Sequence, residues 1–446
     1  MAVVALAPPE WIAPAPLDER FCNAILNRGT MRWSAYREDP DVRYVAGSFA
    51  VGIFLPSVAG GISFPAIPRL ELVLGLSPAV VGLILSTADG VRLLSNAPIG
   101  SLLDRVGTRR PLIAGFLSLT VAHFGYALGM DPGPVPLDPA IVFVISAAVA
   151  GLGSALVLVG GYAMITDITT TENRGRWLGY MLGSYGLGFP VGLVVGGVVA
   201  DTYGIREAFI LSGVVSLVSM PIVLALVPDS SPEIDQDRGI RHIPALILAD
   251  RRLAVIGTIN GILSFLSRAF LTTVVVFIAS LGLELSGIGD MGVTGVMLAL
   301  VTLAASGSTL MAGRYSDSFD DRISLVLPSL CVMAVGFVTV AMVPTLAGIV
   351  AGGVVAAVGG GAAGPVLKAY LSDISPSGDM AKLGGAYDVF GDLGGILGPV
   401  IALPAASRLG FEAVYFGCAG LGVVAAVLVA TTLLSAAPSS QSAVAE

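Results

Sequence analysis

Gly100-Ser-Leu-Leu-Asp104-Arg105-Val-Gly107-Thr-Arg109-Arg110 closes one long apolar run, and a weaker copy, Gly313-Arg-Tyr-Ser-Asp317 with Arg322, stands 213 positions later. A charged turn flanked by glycines, repeated at the same point of two apolar blocks, points to a duplicated chain. The same offset pairs Gly82 with Gly295, Leu85 with Leu298 and Arg109 with Arg322. Further along the offset falls to 206, pairing Asp167 with Asp373, Gly179 with Gly385, Leu187 with Leu393, Gly188 with Gly394 and Gly192 with Gly398. The lost residues trace to the connection from Met130 to Pro139, which is longer than its counterpart around Val343, and insertions belong in exposed loops.

Hydrophobic residues make up 55% of the chain and charged residues 12%, with a mean hydropathy of +0.88. That composition belongs in a bilayer, where a spanning helix needs about 20 mostly apolar residues. Twelve such runs are present, near 45–66, 78–99, 111–130, 140–163, 177–199, 207–227, 253–281, 290–313, 323–343, 346–370, 383–406 and 410–434. The polar stretch with Asp229, Glu233, Asp235, Asp237 and Arg238 divides them six and six. The expected organisation is an N-terminal segment 1–44, a first six-helix bundle 45–227, a linker 228–252, a second bundle 253–434 and a tail 435–446.

The net charge of -8 says less than where the charges fall. With the N-terminus in the cytoplasm, only Arg69, Arg206 and Arg408 of the 23 basic residues reach the far side, and Arg92 and Arg268 lie within the membrane. The positive-inside rule therefore predicts a multi-pass protein of the cytoplasmic membrane with both termini cytoplasmic. Residues 1–42 have no signal-peptide core, and Cys22, Cys331 and Cys418 have no paired spacing.

The repeated turn, the twelve runs and the central linker resemble the major facilitator superfamily over residues 45 to 434, in particular its bacterial drug/proton antiporters. The first turn is similar to the superfamily motif between helices 2 and 3. The second departs from it, with Ser318 in place of a base and Asp320 in place of a glycine. The resemblance implies an all-α membrane fold of two pseudo-symmetric bundles that rock about a central site. It also implies that Asp104 sits by the N-terminus of helix 11, with Gly100, Asp104, Arg105, Gly107, Arg109 and Arg110, and the second set Gly313, Asp317 and Arg322, acting as inner-gate latches. Elementary chemistry agrees: Gly100 suits close packing, Gly107 suits an unusual backbone angle, and a helix N-terminus favours an anion. Gly188, Gly192 and Gly196 form a flat stripe on helix 5 that with Pro190 resembles the antiporter motif, although Phe189 separates Gly188 from Pro190. The arginine that many antiporters carry in helix 4 is Ala147 here, so coupling through it is not carried over.

Ionisable groups at membrane depth cost about 2.5–3.5 kcal/mol each on insertion scales, which makes each a functional candidate. Asp89 and Arg92 are three residues apart and share a helix face, so they either neutralise each other or form a titrating acid with its tuner. Asp388 and Asp392 are one turn apart, and like charges in a poorly hydrated place favour proton uptake by one of them. The alternative for Asp392 is a structural pairing with Lys368, Lys382 or the Asp104 turn. Arg268 needs an acid, a water cavity or an anionic ligand; with Arg92, His123 and Asn260 it is a candidate for the central cavity.

Gly359-x-Gly361-x-x-Gly364 matches a dinucleotide fingerprint by letter but has no strand before it. No phosphate-cradling loop, no zinc-ligand set among two histidines and no basic aromatic patch are present. No enzyme activity, cofactor, metal or nucleic acid is expected. The expected protein is a monomeric secondary transporter, most simply a proton-coupled exporter of drug-like or amphipathic molecules. The alternatives are a proton-coupled importer of a small organic anion, suited to Arg92 and Arg268, and a non-transporting receptor or assembly protein on the same fold.

Overall fold

The computed structural model describes residues 42–131, 133, 137–170, 172–226, 251–282, 289–316, 318–319, 322–374 and 380–434. The segment 1–41, almost all of the expected linker, the tail 435–446 and Asp317 lie outside the described residues.

Twelve long helices are described: α1 (Val42–Ser63), α2 (Pro78–Val106), α3 (Arg109–Met130), α4 (Pro139–Ile168), α5 (Arg174–Thr202), α6 (Ile205–Leu226), α7 (Arg251–Leu281), α8 (Asp290–Ser316), α9 (Val326–Met342), α10 (Leu346–Ile374), α11 (Met380–Leu409) and α12 (Phe411–Leu428, continued as a π-turn to Leu434). Eleven of them are long and apolar enough to cross a membrane, and α6 matches α1 at 22 residues. Local chemistry sets the boundaries. Ser77 accepts a hydrogen bond from the Val80 N–H at 3.3 Å and Pro78 follows it, while Asp138 accepts from the Ala140 N–H at 2.8 Å with Pro139 next.

The duplicated turn is mostly helix. Residues 100 to 106 form the last turns of α2, and the chain reverses only at Gly107, whose φ of 76° ends the helix while its N–H caps the Leu103 carbonyl. In the second half, Gly313 to Ser316 likewise finish α8.

The halves repeat one packing plan. In the first, α1 packs on α5 and α6, α2 on α4, and α3 on α4 and α6; in the second, α7 packs on α11 and α12, α8 on α10, and α9 on α10 and α12. The repeated glycines explain the closest of these contacts. A Cβ on Gly188 would stand 2.6 Å from the Phe54 carbonyl oxygen, and one on Gly192 or Gly196 would strike the backbone of α1. Gly394 and Gly398 bring α11 equally close to Gly261 and Arg268 of α7. The helix-5 stripe therefore packs inside its own half.

Candidate functional site

The halves meet along two antiparallel seams, α2 with α11 and α5 with α8. The pairs are symmetric: Gly82 lies against the Pro399 carbonyl and Gly295 against the Leu193 carbonyl, and these pairs correspond under the two offsets. We call the end carrying the α1–α2, α5–α6 and α7–α8 connections the outer end, following the charge distribution. There a Cβ on Gly197 would stand 2.5 Å from the Met291 carbonyl oxygen, so the backbones touch. Towards the inner end the four helices separate. The α2–α11 contacts pass from Gly82–Pro399 through the Ser86 hydroxyl, which donates to the Ile396 carbonyl at 2.6 Å, to the Arg92–Asp392 pair. A Cβ on Gly179, Gly183, Gly307 or Gly313 would meet nothing within 4 Å. Among the described residues the helices are closed together at the outer end and apart at the inner end.

A clasp of charged groups holds the outer end. Asp201, at the end of α5, crosses to the first turn of α8, where its carboxylate accepts the Met291 N–H at 3.1 Å and the Gly292 N–H at 2.6 Å. Arg69, in the α1–α2 connection and 7% exposed, reaches Asp290 at 2.7 Å. A carboxylate on free N–H groups at a helix N-terminus is stabilised by both the hydrogen bonds and the helix dipole. Sequence reading missed this cluster because Arg69 was counted only as a topology charge. An acid at the start of α8 facing one at the end of α5 is a signal that only the fold assembles.

Charge-assisted hydrogen bonds are worth about 1.5–3 kcal/mol each, so Asp201→Ala is expected to raise the outer-open fraction by at least about tenfold. Spin labels at the exposed positions Tyr203 and Leu409 would read this as a new long-distance population; an unchanged distance distribution would dismiss the clasp.

Below the seams lies a cavity of about 520 Å³, within the usual range for small-molecule sites. At its edge four charged side chains form a chain across the two halves. Arg268 of α7 donates to Asp89 of α2 at 3.2 Å; Arg92, one turn along α2, lies 3.2 Å from Asp89 and donates to Asp392 of α11 at 3.2 Å. Asp89 is 8% exposed and serves two guanidinium groups. Two acids and two bases make the chain neutral overall, which lowers the cost of holding them at membrane depth. Arg268 can stand here because Gly398 lets α7 lie against α11: a Cβ there would come 2.9 Å from the Arg268 Cβ.

Asn260 lines the cavity and donates from Nδ2 to the Tyr387 carbonyl at 2.8 Å. Asp388 and Asp392 turn to different cations. Asp388 pairs with Lys368 at 3.0 Å, largely exposed, while Asp392 pairs with Arg92, which Asp89 also contacts. His123 does not line the cavity. It is 4% exposed inside the first half, its Nδ1 sharing a hydrogen bond with Ser216 at 3.0 Å, because α3 lies on the outside of the bundle against α6.

Asp104 is exposed at the end of α2 and makes no hydrogen bond or ion pair with α11 among the described residues; residues 375–379, just before α11, lie outside them. Gly100 is not a close-packing glycine here, since a Cβ on it would meet nothing within 4 Å. Arg105 and Arg110 are exposed, Arg109 opens α3, and Arg322 lies 3.8 Å from Asp373 within its own half.

Known proteins carry the same plan. The family profile described as Major Facilitator Superfamily matches residues 49–294 and 257–446. The chain is 25% identical over 362 residues to Multidrug resistance protein 1 of Bacillus subtilis (strain 168), covering 78% of this chain and 86% of that one. It is 22% identical over 367 residues to Quinolone resistance protein NorA of Staphylococcus aureus (strain MRSA252), covering 78% and 87%. Among solved structures, a bacterial homolog of the human lysosomal transporter Spinster in an inward-facing, occupied conformation superposes with a TM-score of 0.70 at 15% identity, covering 88% and 97%. A mutant of the nucleoside transporter NupG gives 0.71 at 14% identity, covering 86% and 99%. With two matching bundles, a cavity at their junction and a profile match running through both halves, the chain belongs to the major facilitator superfamily and is a multi-pass membrane transporter.

Proposed function

We propose that this transporter exports amphipathic small molecules from the cytoplasm by proton-coupled alternating access. The carrying observation is the neutral chain Arg268–Asp89–Arg92–Asp392, which joins the halves at a cavity open to the inner end. A proton on Asp392 leaves Arg92 without its partner in the second half and gives the chain one net positive charge. A cationic cargo does the same. Two like charges about 6 Å apart cost about 3 kcal/mol at an effective dielectric of 20, near a hundredfold in affinity. Proton and cation therefore compete for the site, and competition for one site on alternate faces is the thermodynamic core of antiport. The relatives named for multidrug and quinolone resistance support the export direction. The inner end is the cytoplasmic one in this reading, the working unit is a monomer, and Asp104 engages α11 only when the inner end closes.

A second reading, proton-coupled import of a small organic anion, is favoured by the side chain of Arg268, 33% exposed to the cavity. It has the opposite linkage. An anion and a proton neutralise each other at the site and bind together. Mixing the purified protein with cargo in weakly buffered solution separates the two: lipophilic cations are expected to release protons. Proton uptake on adding organic anions would transfer the assignment to the second reading, and no proton movement with either class would remove the coupling claim.

A further inference from the structure

The two halves differ most where the cavity lies. Its wall comes from the second half except for Asp89 and Arg92, and its apolar lining includes Phe270, Val301, Met333 and Phe337, each at most 4% exposed, so that the apolar recess here is narrow. Gly360 of α10 also lines the cavity, beside Met333, and its neighbours have different work. A Cβ on Gly359 would stand 2.5 Å from the Met333 backbone nitrogen, and one on Gly361 would stand 2.5 Å from the Ala305 carbonyl oxygen, so these two glycines hold α9 and α8 close. A Cβ on Gly360 would meet only the Met333 sulfur, at 3.4 Å. Gly360 is therefore not needed for helix contact; it leaves volume.

The duplication supplies the comparison. Under the 206 offset Gly360 corresponds to Ser154 and Gly364 to Leu158, so side chains stand in the first half where the second has none. Gly151, the counterpart of Ala357, is jammed against the Ala88 backbone of α2.

We propose that this recess is the specificity pocket of the transporter, with Gly360 and Phe337 setting the largest ring system that a cargo can carry. The inference rests on the export reading for its direction of use and adds the cargo class: a rigid aromatic ring system with one ionised group a short spacer away. The rings lie among Phe270, Phe337 and the Met333 thioether, where edge-to-face and sulfur–aromatic contacts favour them over an alkyl chain. The ionised group reaches the Arg268–Asp89 end.

The test is equilibrium binding of benzyl-, naphthylmethyl- and pyrenylmethyl-ammonium, and of the matching carboxylates, to the purified full chain. In the unmodified protein affinity is expected to rise with ring number. Gly360→Leu adds four carbons at the cavity wall, the first of which meets only the flexible Met333 thioether. It is expected to weaken the pyrenyl probe at least about tenfold while leaving the benzyl probe within about twofold, since one misplaced methylene in an apolar pocket is worth roughly 10–200-fold. Phe337→Ala is expected to do the reverse and favour pyrenyl over benzyl. Ser154→Leu, the counterpart in the first half, is expected to change neither. Should Gly360→Leu fold poorly, Phe337→Ala and Gly360→Ala carry the same comparison in opposite directions. Equal losses for all rings, or no change in the order of affinities, would overturn the proposal. Ring-size selectivity that moves as described without any proton movement would keep the recess and reject the coupling reading instead.

Discussion

Gly295→Leu is expected to abolish transport while leaving a folded, membrane-inserted protein held open at its outer end. A Cβ at this position would collide with the Leu193 carbonyl and would stand 3.3 Å from the Gly197 Cα, both on the other half. Neither obstacle can rotate away, because both are helix backbone. The cost falls on only one conformation. When the outer seam parts, position 295 has no neighbour on α5, and leucine is a better helix former than glycine by close to 1 kcal/mol. A difference of about 3 kcal/mol or more between the two states shifts their ratio more than a hundredfold, enough to remove the inward-facing state from the cycle. Gly420→Leu provides the comparison, since a Cβ there meets nothing within 4 Å on the outlying helix α12. Spin-label distances between Tyr203 and Leu409 should lengthen for Gly295→Leu alone, and flux should fall below a few per cent of the Gly420→Leu value. Normal flux with an unaltered distance would mean that the α5–α8 seam does not govern access.

The same seam explains what the amino-acid sequence discloses and what it withholds. Several residues that match under the offsets hold helices together, Gly82 with Gly295 across the halves, Gly188 with Gly394 and Gly192 with Gly398 inside them, whereas Gly100 with Gly313 and Gly179 with Gly385 match without close contact. Packing of this kind depends on a small residue at a fixed register, so duplication preserves it and a reader of the sequence can find it. The ionised chain is the reverse case. Asp89 corresponds to Thr302, Arg92 to Ala305 and Asp392 to Gly186, so this charged chain on one seam has no counterpart at the same positions of the other. Each was a candidate because of its cost at membrane depth. Their partners were out of reach, since Asp89–Arg268 and Arg92–Asp392 join residues 179 and 300 positions apart. The outer clasp was hidden for a related reason. Arg69, Asp201 and Asp290 stand at helix ends, where a charge needs no explanation until another half is seen against it.

Asp89→Asn tests the centre of that arrangement and should be the most damaging substitution within the charged chain. Asparagine keeps the shape and one carbonyl oxygen but leaves Arg92 and Arg268 facing each other with no anion between them. Removing one member of a buried ion pair costs about 3–5 kcal/mol, and here a single carboxylate serves two cations. Asp392→Asn, by contrast, leaves Arg92 still paired with Asp89, and its site is more exposed, at 24% against 12% for the Asp89 side chain. Transport is therefore expected to fall at least about a hundredfold for the first variant. Asp392→Asn should retain cargo binding but lose its dependence on pH. The double variant Asp89→Asn/Arg268→Gln separates stability from coupling. With the surplus cation gone, thermal stability should recover most of what Asp89→Asn lost, because the two losses share one interaction and do not add. Flux should not recover, since the link between the halves is still missing. If stability losses of the two single changes simply sum, Asp89 and Arg268 do not interact in the working protein. If the double variant transports normally, the bond from α2 to α7 is scaffolding, and coupling must be sought along Arg92 and Asp392 instead.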